Sequence, residues 1–353
     1  MDTSSVTEKR SGLPDAKTSQ ELKAARRHCR FPLKRIPGLA KVRDIHAPIS
    51  LDVVLLVKAM GAAGGFQSKS LADAAEVLHS MYSKEDCTKF LSFPAAIAAT
   101  GTRGLLIDLV REGMVDVIIT ASGTLDHDIS RTLSDYYHGS FDMDDFALTK
   151  AGYHRLGNVL VPIGSYGPLI ERRMQGLLSK MQARGATSPT TEELCKEIGR
   201  DLDSEKSLLY WAQKKGVPVF VPGIMDGSVG SQIWLFAEKH RDFRVDIIGD
   251  ERRLAEIVFA SKKSGALVIG GGIAKHHALW WNQFRSGLDY ACYITTAVEY
   301  DGSLSGAQVR EAISWGKVKV KAKKVNLYAD ATTVLPLLVS YVLTMKEKGR
   351  TRP

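Results

Sequence analysis

The 353-residue chain has only four cysteines, Cys29, Cys87, Cys195 and Cys292, and they stand far apart. No two occupy a C-x-x-C pair, so a zinc ribbon or a thioredoxin-like redox site is not written here. The scatter fits a reducing, cytoplasmic setting. Long apolar runs are also missing: none approaches the roughly 18 residues that cross a bilayer. The N-terminus shows no apolar h-region, so it does not read as a secretory leader and no membrane role is expected. The body lacks net charge. Of the overall +9, residues 1–43 hold +7 and residues 346–353 hold +3, so residues 44–345 carry −1. A nucleic-acid enzyme would carry its basic groove on the folded body, so no direct nucleic-acid role is expected. The Gly-x-Gly-x-x-Gly fingerprint is absent from the strand-to-helix turns as well.

What is present divides into three parts. Residues 1–43 form a basic extension, Ser/Thr/Lys-rich as far as about Ala25 and expected to be partly disordered. Phe31-Pro32 and Ile36-Pro37-Gly38 read as extended chain entering the fold. Residues 44–345 show no linker and read as one catalytic domain, and residues 346–353 form a basic tail. Helical periodicity marks Leu51–Ala63, Ser70–Met81 with Ser70 as its cap, Leu105–Arg111, Thr191–Ile198, Ser204–Lys214, Gln232–His240 and Leu254–Lys263. Short apolar runs mark strands at Val115–Thr120, Val159–Val161, Val217–Val221, Val245–Ile248, Ala266–Ile269, Tyr290–Thr295 and Val325–Tyr328. Phe93–Ala99 reads only as a run of small residues. Strands alternating with helices predict an α/β fold: one large doubly wound, mostly parallel, Rossmann-like sheet with helices on both faces.

Ligands of such sheets bind beyond the carboxyl ends of the strands. Those ends carry Ser122-Gly123, Asp226-Gly227-Ser228, Gly270-Gly271-Gly272, Thr296-Ala297 and Asp330-Ala331. A helix starting after Gly272 would offer free N–H groups to phosphate, and Asp226 and Asp330 could accept ribose hydroxyls. The triple glycine reads equally well as a tight turn. His276 and His277 diverge by about 100° on a helix, so only one of them can face a site. No third ligand stands at a zinc-like spacing. Lys317 opens the run Lys317–Lys324, whose period-two alternation reads as a solvated edge beyond its first member. Lys317 itself follows Ser314-Trp315-Gly316. A lysine that attacks carbon must first lose its proton, and an apolar indole beside it favours that loss. Glu299, Asp301 and Glu311 suit a polycationic ligand, or equally an acidic surface loop.

The sequence from about 90 to 340 resembles the deoxyhypusine synthase family. The resemblance rests on Val217-Pro218-Val219-Phe220, Asp226-Gly227-Ser228, the run Gly270 to His277, Thr296-Ala297, Tyr300-Asp301-Gly302-Ser303, the run Glu311 to Lys317, and Tyr328-Ala329-Asp330-Ala331. Asp126-His127-Asp128 and Ser303-Leu304-Ser305 look most like archaeal members. The resemblance implies NAD-dependent transfer of the 4-aminobutyl group of spermidine to one lysine of an initiation factor 5A class translation factor, through an imine on the enzyme. It implies Lys317 and His276 as catalytic residues, and Trp315, Glu311, Asp126, Gly302, Ser303 and Ser305 at the substrate. Ser122, Gly123, Asp226, Gly270, Gly271, Thr296, Ala297, Asp301, Asp330 and Ala331 match NAD contacts. No metal is implied. The family forms homotetramers with sites at dimer interfaces. Eukaryotic members carry acids where this chain has Ser231, Leu304 and His127, a loss that Asp126 and Asp128 could offset. The departures leave open agmatine as donor, transfer to a free amine as in homospermidine synthases, or a non-catalytic NAD-binding regulatory paralogue.

Overall fold

The structure, a computed structural model, describes residues 43–45 and 52–350. All but Arg43 of the basic extension lies outside the described residues, as do its expected extended turns at Pro32 and Pro37. The first helix follows Asp52, whose carboxylate accepts the Val54 N–H at 2.6 Å and so starts α1 (Val53–Ala63). Gly64 and Gly65, both left-handed at φ 68° and 75°, turn it into α2 (Phe66–Tyr82). Ser70 lies inside α2 and does not cap it, because the two glycines have already set the entry.

A strand missing from the sequence pattern follows, β1 (Cys87–Phe93). Lys89 and Ser92 break its apolar run, yet both are buried, and the Lys89 backbone N–H is held by the Asp116 carboxylate at 2.8 Å. Then come α3 (Ala95–Ala99), α4 (Arg103–Arg111), β2 (Val117–Thr120) and α5 (Ser122–Leu133). Next, β3 (Tyr137–His138), α6 (Asp145–Lys150), β4 (Tyr153–Leu156) and β5 (Val159–Pro162) form an excursion. Here the Val159 segment pairs antiparallel with β3 and β4 in a separate three-stranded sheet, so it does not join the parallel series.

The chain returns through α7 (Ile163–Ala183), α8 (Thr191–Leu202), α9 (Leu208–Lys215), β6 (Val219–Phe220) and α10 (Ser228–Lys239). Val245–Ile248 is not a strand. The Asp246 side chain accepts the Gly249 N–H at 2.9 Å and starts α11 (Ile247–Ala260) in the middle of that run. A cap of this kind outweighs a few β-branched residues. After it come β7 (Lys263–Ile269), α12 (Gly272–Gln283), β8 (Leu288–Thr295), α13 (Glu311–Ser314), β9 (Val318–Tyr328) and α14 (Ala331–Arg350). The last helix carries residues 346–350, where a basic tail was the expectation. The lysine alternation also fails. Pairing jumps from Leu288–Val318 to Tyr290–Lys323, so the intervening residues bulge, and Val318, Ala322, Val325 and Leu327 turn inward.

The main sheet has six parallel strands in the order β6-β2-β1-β7-β8-β9. One face packs against a core that includes Leu78, Leu106, Leu178, Leu209 and Leu335. The other packs against Leu254, Ala278, Leu279 and Ala312 from α11, α12 and α13. The doubly wound architecture expected from the sequence is therefore the one present. The described residues from Arg43 onward form one unit, and among them no helix is long and apolar enough to cross a membrane. Cys87, Cys195 and Cys292 are free and buried.

Candidate active site

Parallel strands put all their carboxyl ends on one edge. From β1 the order runs outward through β2 to one side and from β7 to the other, so the switch point lies between them. There the turns touch: a Cβ on Gly270 would stand 3.3 Å from Pro94 Cγ. A cleft of about 510 Å³ opens at this point, lined by Gly270, Gly271, Gly272, Thr296, Ala297, Asp301, Ser303, Ser305, Asp330 and Ala331. Gly270 and Gly272 sit at φ 67° and 66°, which favours glycine at both. The first turn of α12 has no side-chain cap, so its orphan N–H groups remain for an anionic ligand. Among the described residues no lysine or arginine lines this cleft.

A second cleft, of about 260 Å³, is lined by Lys275, His276, Leu279, Trp280, Tyr293, Leu304, Ala307, Gln308, Glu311, Ala312, Trp315 and Lys317. Lys317 is buried, with its Nζ 5.6 Å from the centroid of Trp280 and 5.3 Å from that of Trp315. His276 stacks on Trp280 at 5.7 Å between centroids. Burial, reinforced by the nearby Lys317 charge, holds this imidazole below its ordinary range, so it is neutral at pH 7. His277 turns the other way, with its Nε2 3.3 Å from Glu251. The two histidines thus divide as their spacing requires. Lys275 is fully buried. Its Nζ donates to the Leu304 and Ala307 carbonyls at 2.7 and 2.9 Å and stands 4.5 Å over the Tyr293 ring. Burial brings its ammonium down to about 8.

The connector 296–310 walls both clefts. Asp301, Ser303 and Ser305 line the first, and Leu304, Ala307 and Gln308 line the second. Ser303 and Ser305, expected at the amine, therefore lie on the side of the glycines. Gly302, left-handed at φ 76°, lines neither cleft. The connector is seated tightly: a Cβ on Gly271 would fall 2.0 Å from Ser305 Oγ and 2.5 Å from its Cα.

Four further expected residues line neither cleft. The Ser122 hydroxyl is fully buried and donates to the Ile224 carbonyl at 2.7 Å. Gly123 admits Ala95, whose Cβ would be 2.9 Å from a side chain there. Asp226 lies in the turn between β6 and α10, its N–H bonded to the Gly223 carbonyl. Asp126 is committed to the fold: it accepts the Ser228 and Val229 N–H groups at 2.8 Å and the Tyr166 hydroxyl at 2.7 Å. Asp128 is likewise taken, by Arg103, Ser207 and two backbone N–H groups, so neither acid is free for an amine. His127 is neutral, its imidazole pushed down to about 4 by burial, and lies 3.0 Å from the Tyr136 hydroxyl. Sequence reasoning missed Lys275, Trp280 and Tyr293. Trp280 had a signal, since it follows His276 by one helical turn. Tyr293 had none, because it sits in an apolar strand and reads as core.

The family model for deoxyhypusine synthase matches residues 55–342. The chain belongs to the deoxyhypusine synthase family. A Thermoplasma acidophilum protein named "Probable deoxyhypusine synthase" is 52% identical over 299 residues, 85% of this chain and 96% of that protein. An Ignicoccus hospitalis protein of the same name is 46% identical over 313 residues, 87% and 97% of the two chains. A crystal structure from Entamoeba histolytica that carries the same family name shares the fold, with a TM-score of 0.58 at 21% identity, over 83% of this chain and 94% of that one. As a deoxyhypusine synthase family member the chain is a transferase.

Proposed function

We propose that the chain transfers the 4-aminobutyl group of spermidine to one lysine of an initiation factor 5A class protein, with NAD as hydride carrier. The observation that carries this reading is Lys317, buried between two indoles in a cleft that shares a wall with the glycine-lined cleft at the switch point. The first cleft fits NAD: it combines left-handed glycines, an uncapped helix start and two carboxylates. The backbone of Gly270 and Gly271 and the start of α12 would hold the diphosphate. Asp301 and Asp330 would accept ribose hydroxyls, beside Thr296, Ala297 and Ala331. NAD bound there supplies a hydride acceptor that later returns the same hydride.

The chain's own groups do the rest. Once the donor carbon beside the secondary amine is oxidised to an imine, Lys317, on giving up its proton, attacks it. A C–N bond forms to Nζ, the bond to 1,3-diaminopropane breaks, and that amine leaves. The four-carbon unit is then an imine on Lys317. The factor's lysine displaces Nζ in the same way, and reduction of the new imine leaves a secondary amine. Oxidation and reduction balance. His276, neutral and beside Lys317, takes the proton of the attacking amine and gives it to the leaving one. Trp280 and Trp315 exclude water, and Glu311 pairs with an ammonium of the donor. Trp315 is 65% exposed, so a neighbouring subunit of a homotetramer would close the cleft over it.

Among the described residues Glu311 is the one carboxylate lining the amine cleft. That favours a second reading of the donor, agmatine, which carries one positive charge fewer than spermidine. A single assay decides. The protein is incubated with NAD, the translation factor and labelled spermidine or agmatine. Label on a factor lysine supports the reading, and label found only on small amines sinks it. Borohydride should trap the four-carbon unit on Lys317, and Lys317→Arg should trap nothing, since a guanidinium stays protonated.

A further inference from the structure

Lys275 stands in the first turn of α12 and is 1% exposed. Three costs meet at that position. An ammonium taken out of water is expensive. A cation in the first turn of a helix opposes the helix dipole. And this cation lines a cleft that is read above as admitting a cationic donor. Glu311 and Asp301 act on it only through their fields, and burial outweighs them. A methionine would fill the same space at none of these costs, so the ammonium answers to something other than packing.

What it meets is the connector 296–310. Its Nζ donates to the Leu304 carbonyl at 2.7 Å and to the Ala307 carbonyl at 2.9 Å. The turn between them closes on itself, Gly306 N–H to the Ser303 carbonyl and Ala307 N–H to the Leu304 carbonyl, both at 3.2 Å. Its far side packs on Val298, whose carbonyl oxygen would lie 1.9 Å from a Cβ on Gly306. The end of the connector is held separately, by Asn326 Oδ1, which accepts the Val309 N–H at 2.9 Å. Lys275 thus ties the turn to α12. That helix starts at the glycines of the first cleft and carries His276 of the second. A shift of the turn against α12 moves Ser303 and Ser305 on one side and Leu304 and Ala307 on the other.

We propose that Lys275 is a positioning residue that anchors the Leu304–Ala307 turn to α12 and so sets the width of both clefts at once. The use of the two clefts rests on the function proposed above. The anchoring itself rests on the contacts of Lys275.

The test is Lys275→Met in the full chain, which keeps the length of the side chain and removes its donors. Calorimetric titration should show NAD weakened about tenfold, although Lys275 lines only the second cleft, and spermidine or agmatine weakened about tenfold as well. Hydrogen exchange should quicken about tenfold or more at the Gly306 and Ala307 amides and stay unchanged in β7 and β8. Weaker amine binding with NAD binding unchanged would overturn the proposal by making Lys275 a local lining group. A lower melting temperature with both affinities and the exchange pattern unchanged would overturn it by making the role purely structural. Should Lys275→Met fail to fold, the same measurements are read on Lys275→Gln, whose amide keeps two donors on a side chain one atom shorter. Wild-type affinities and exchange there overturn the proposal too. A wild-type protein that binds both ligands but labels no factor lysine sinks the transfer reading and leaves the anchor standing. The exchange measurement needs no ligand, so it decides the anchor even where the wild type binds neither.

Discussion

Asp126 and Asp128 stand two positions apart on one helix, yet each closes the amino end of a different neighbour. Asp126 accepts from Ser228 and Val229 at the start of α10, and Asp128 from Leu208 and Leu209 at the start of α9. Side chains two apart on a helix diverge by about 200°, so α5 clamps α9 and α10 from between. Asp128 also meets Arg103 at 3.0 Å, both side chains being buried. Asp128→Ala would leave that guanidinium without its partner and should destabilise the fold by about 3–5 kcal/mol. A urea midpoint unchanged from wild type would show that the clamp carries no stability. Asp126→Asn should cost less, because no buried cation is orphaned.

Selectivity for the cofactor follows from charge. Asp301 and Asp330 line the first cleft, and among the described residues no lysine or arginine does. A 2′-phosphate there would meet carboxylates with no cation to offset them. NAD should therefore bind at least tenfold more tightly than NADP in direct titration. Equal affinities would mean that the ribose lies elsewhere.

Trp280 should matter to chemistry more than to stability. It is 41% exposed, yet it touches both His276 and Lys317. Trp280→Ala frees the Lys317 side chain on one side, and misplacement of a reacting atom is costly. We expect kcat to fall about tenfold or more with the KM for NAD unchanged, read from steady-state kinetics and from the yield of the borohydride-trapped lysine. A variant with wild-type trapping rates would remove Trp280 from the site.

His127 gives a signature in pH. Its imidazole titrates near 6.5 when unfolded, and burial brings it to about 4 in the fold. Between those values the unfolded chain binds more protons. Its contribution is therefore intact above pH 6.5 and is lost as pH falls toward 4, up to about 3 kcal/mol. His127→Gln should flatten the fall in stability across that window relative to wild type, measured by denaturant unfolding at stepped pH. Parallel curves for the two proteins would contradict the burial account.

Much of the architecture was legible because parallel strands are apolar on both faces and end in glycine, threonine or aspartate. β7, β8 and the triple glycine were visible in that way. β1 was hidden because Lys89 and Ser92 interrupt it, and only the Asp116 contact and the neighbouring strands show why they are tolerated. At the site, Lys317, His276, Glu311 and Trp315 line one cleft, the grouping that the family resemblance implied. The bonds of Asp126 to the start of α10 were not legible, because a sequence does not reveal which backbone groups a carboxylate meets across 102 residues. Tyr293 was invisible for the opposite reason: its surroundings are those of core, and only its empty hydrogen-bond capacity sets it apart.

The connector between β8 and α13 has a consequence for how the protein can change. Ser303, Leu304 and Ser305 face opposite chambers in turn, so the segment behaves like a reading frame. Inserting or deleting one residue among 303–305 would swap the chambers that these three side chains face. Length here is thus constrained more tightly than residue identity. A new donor preference can arise by substitution along this wall, but not by lengthening it.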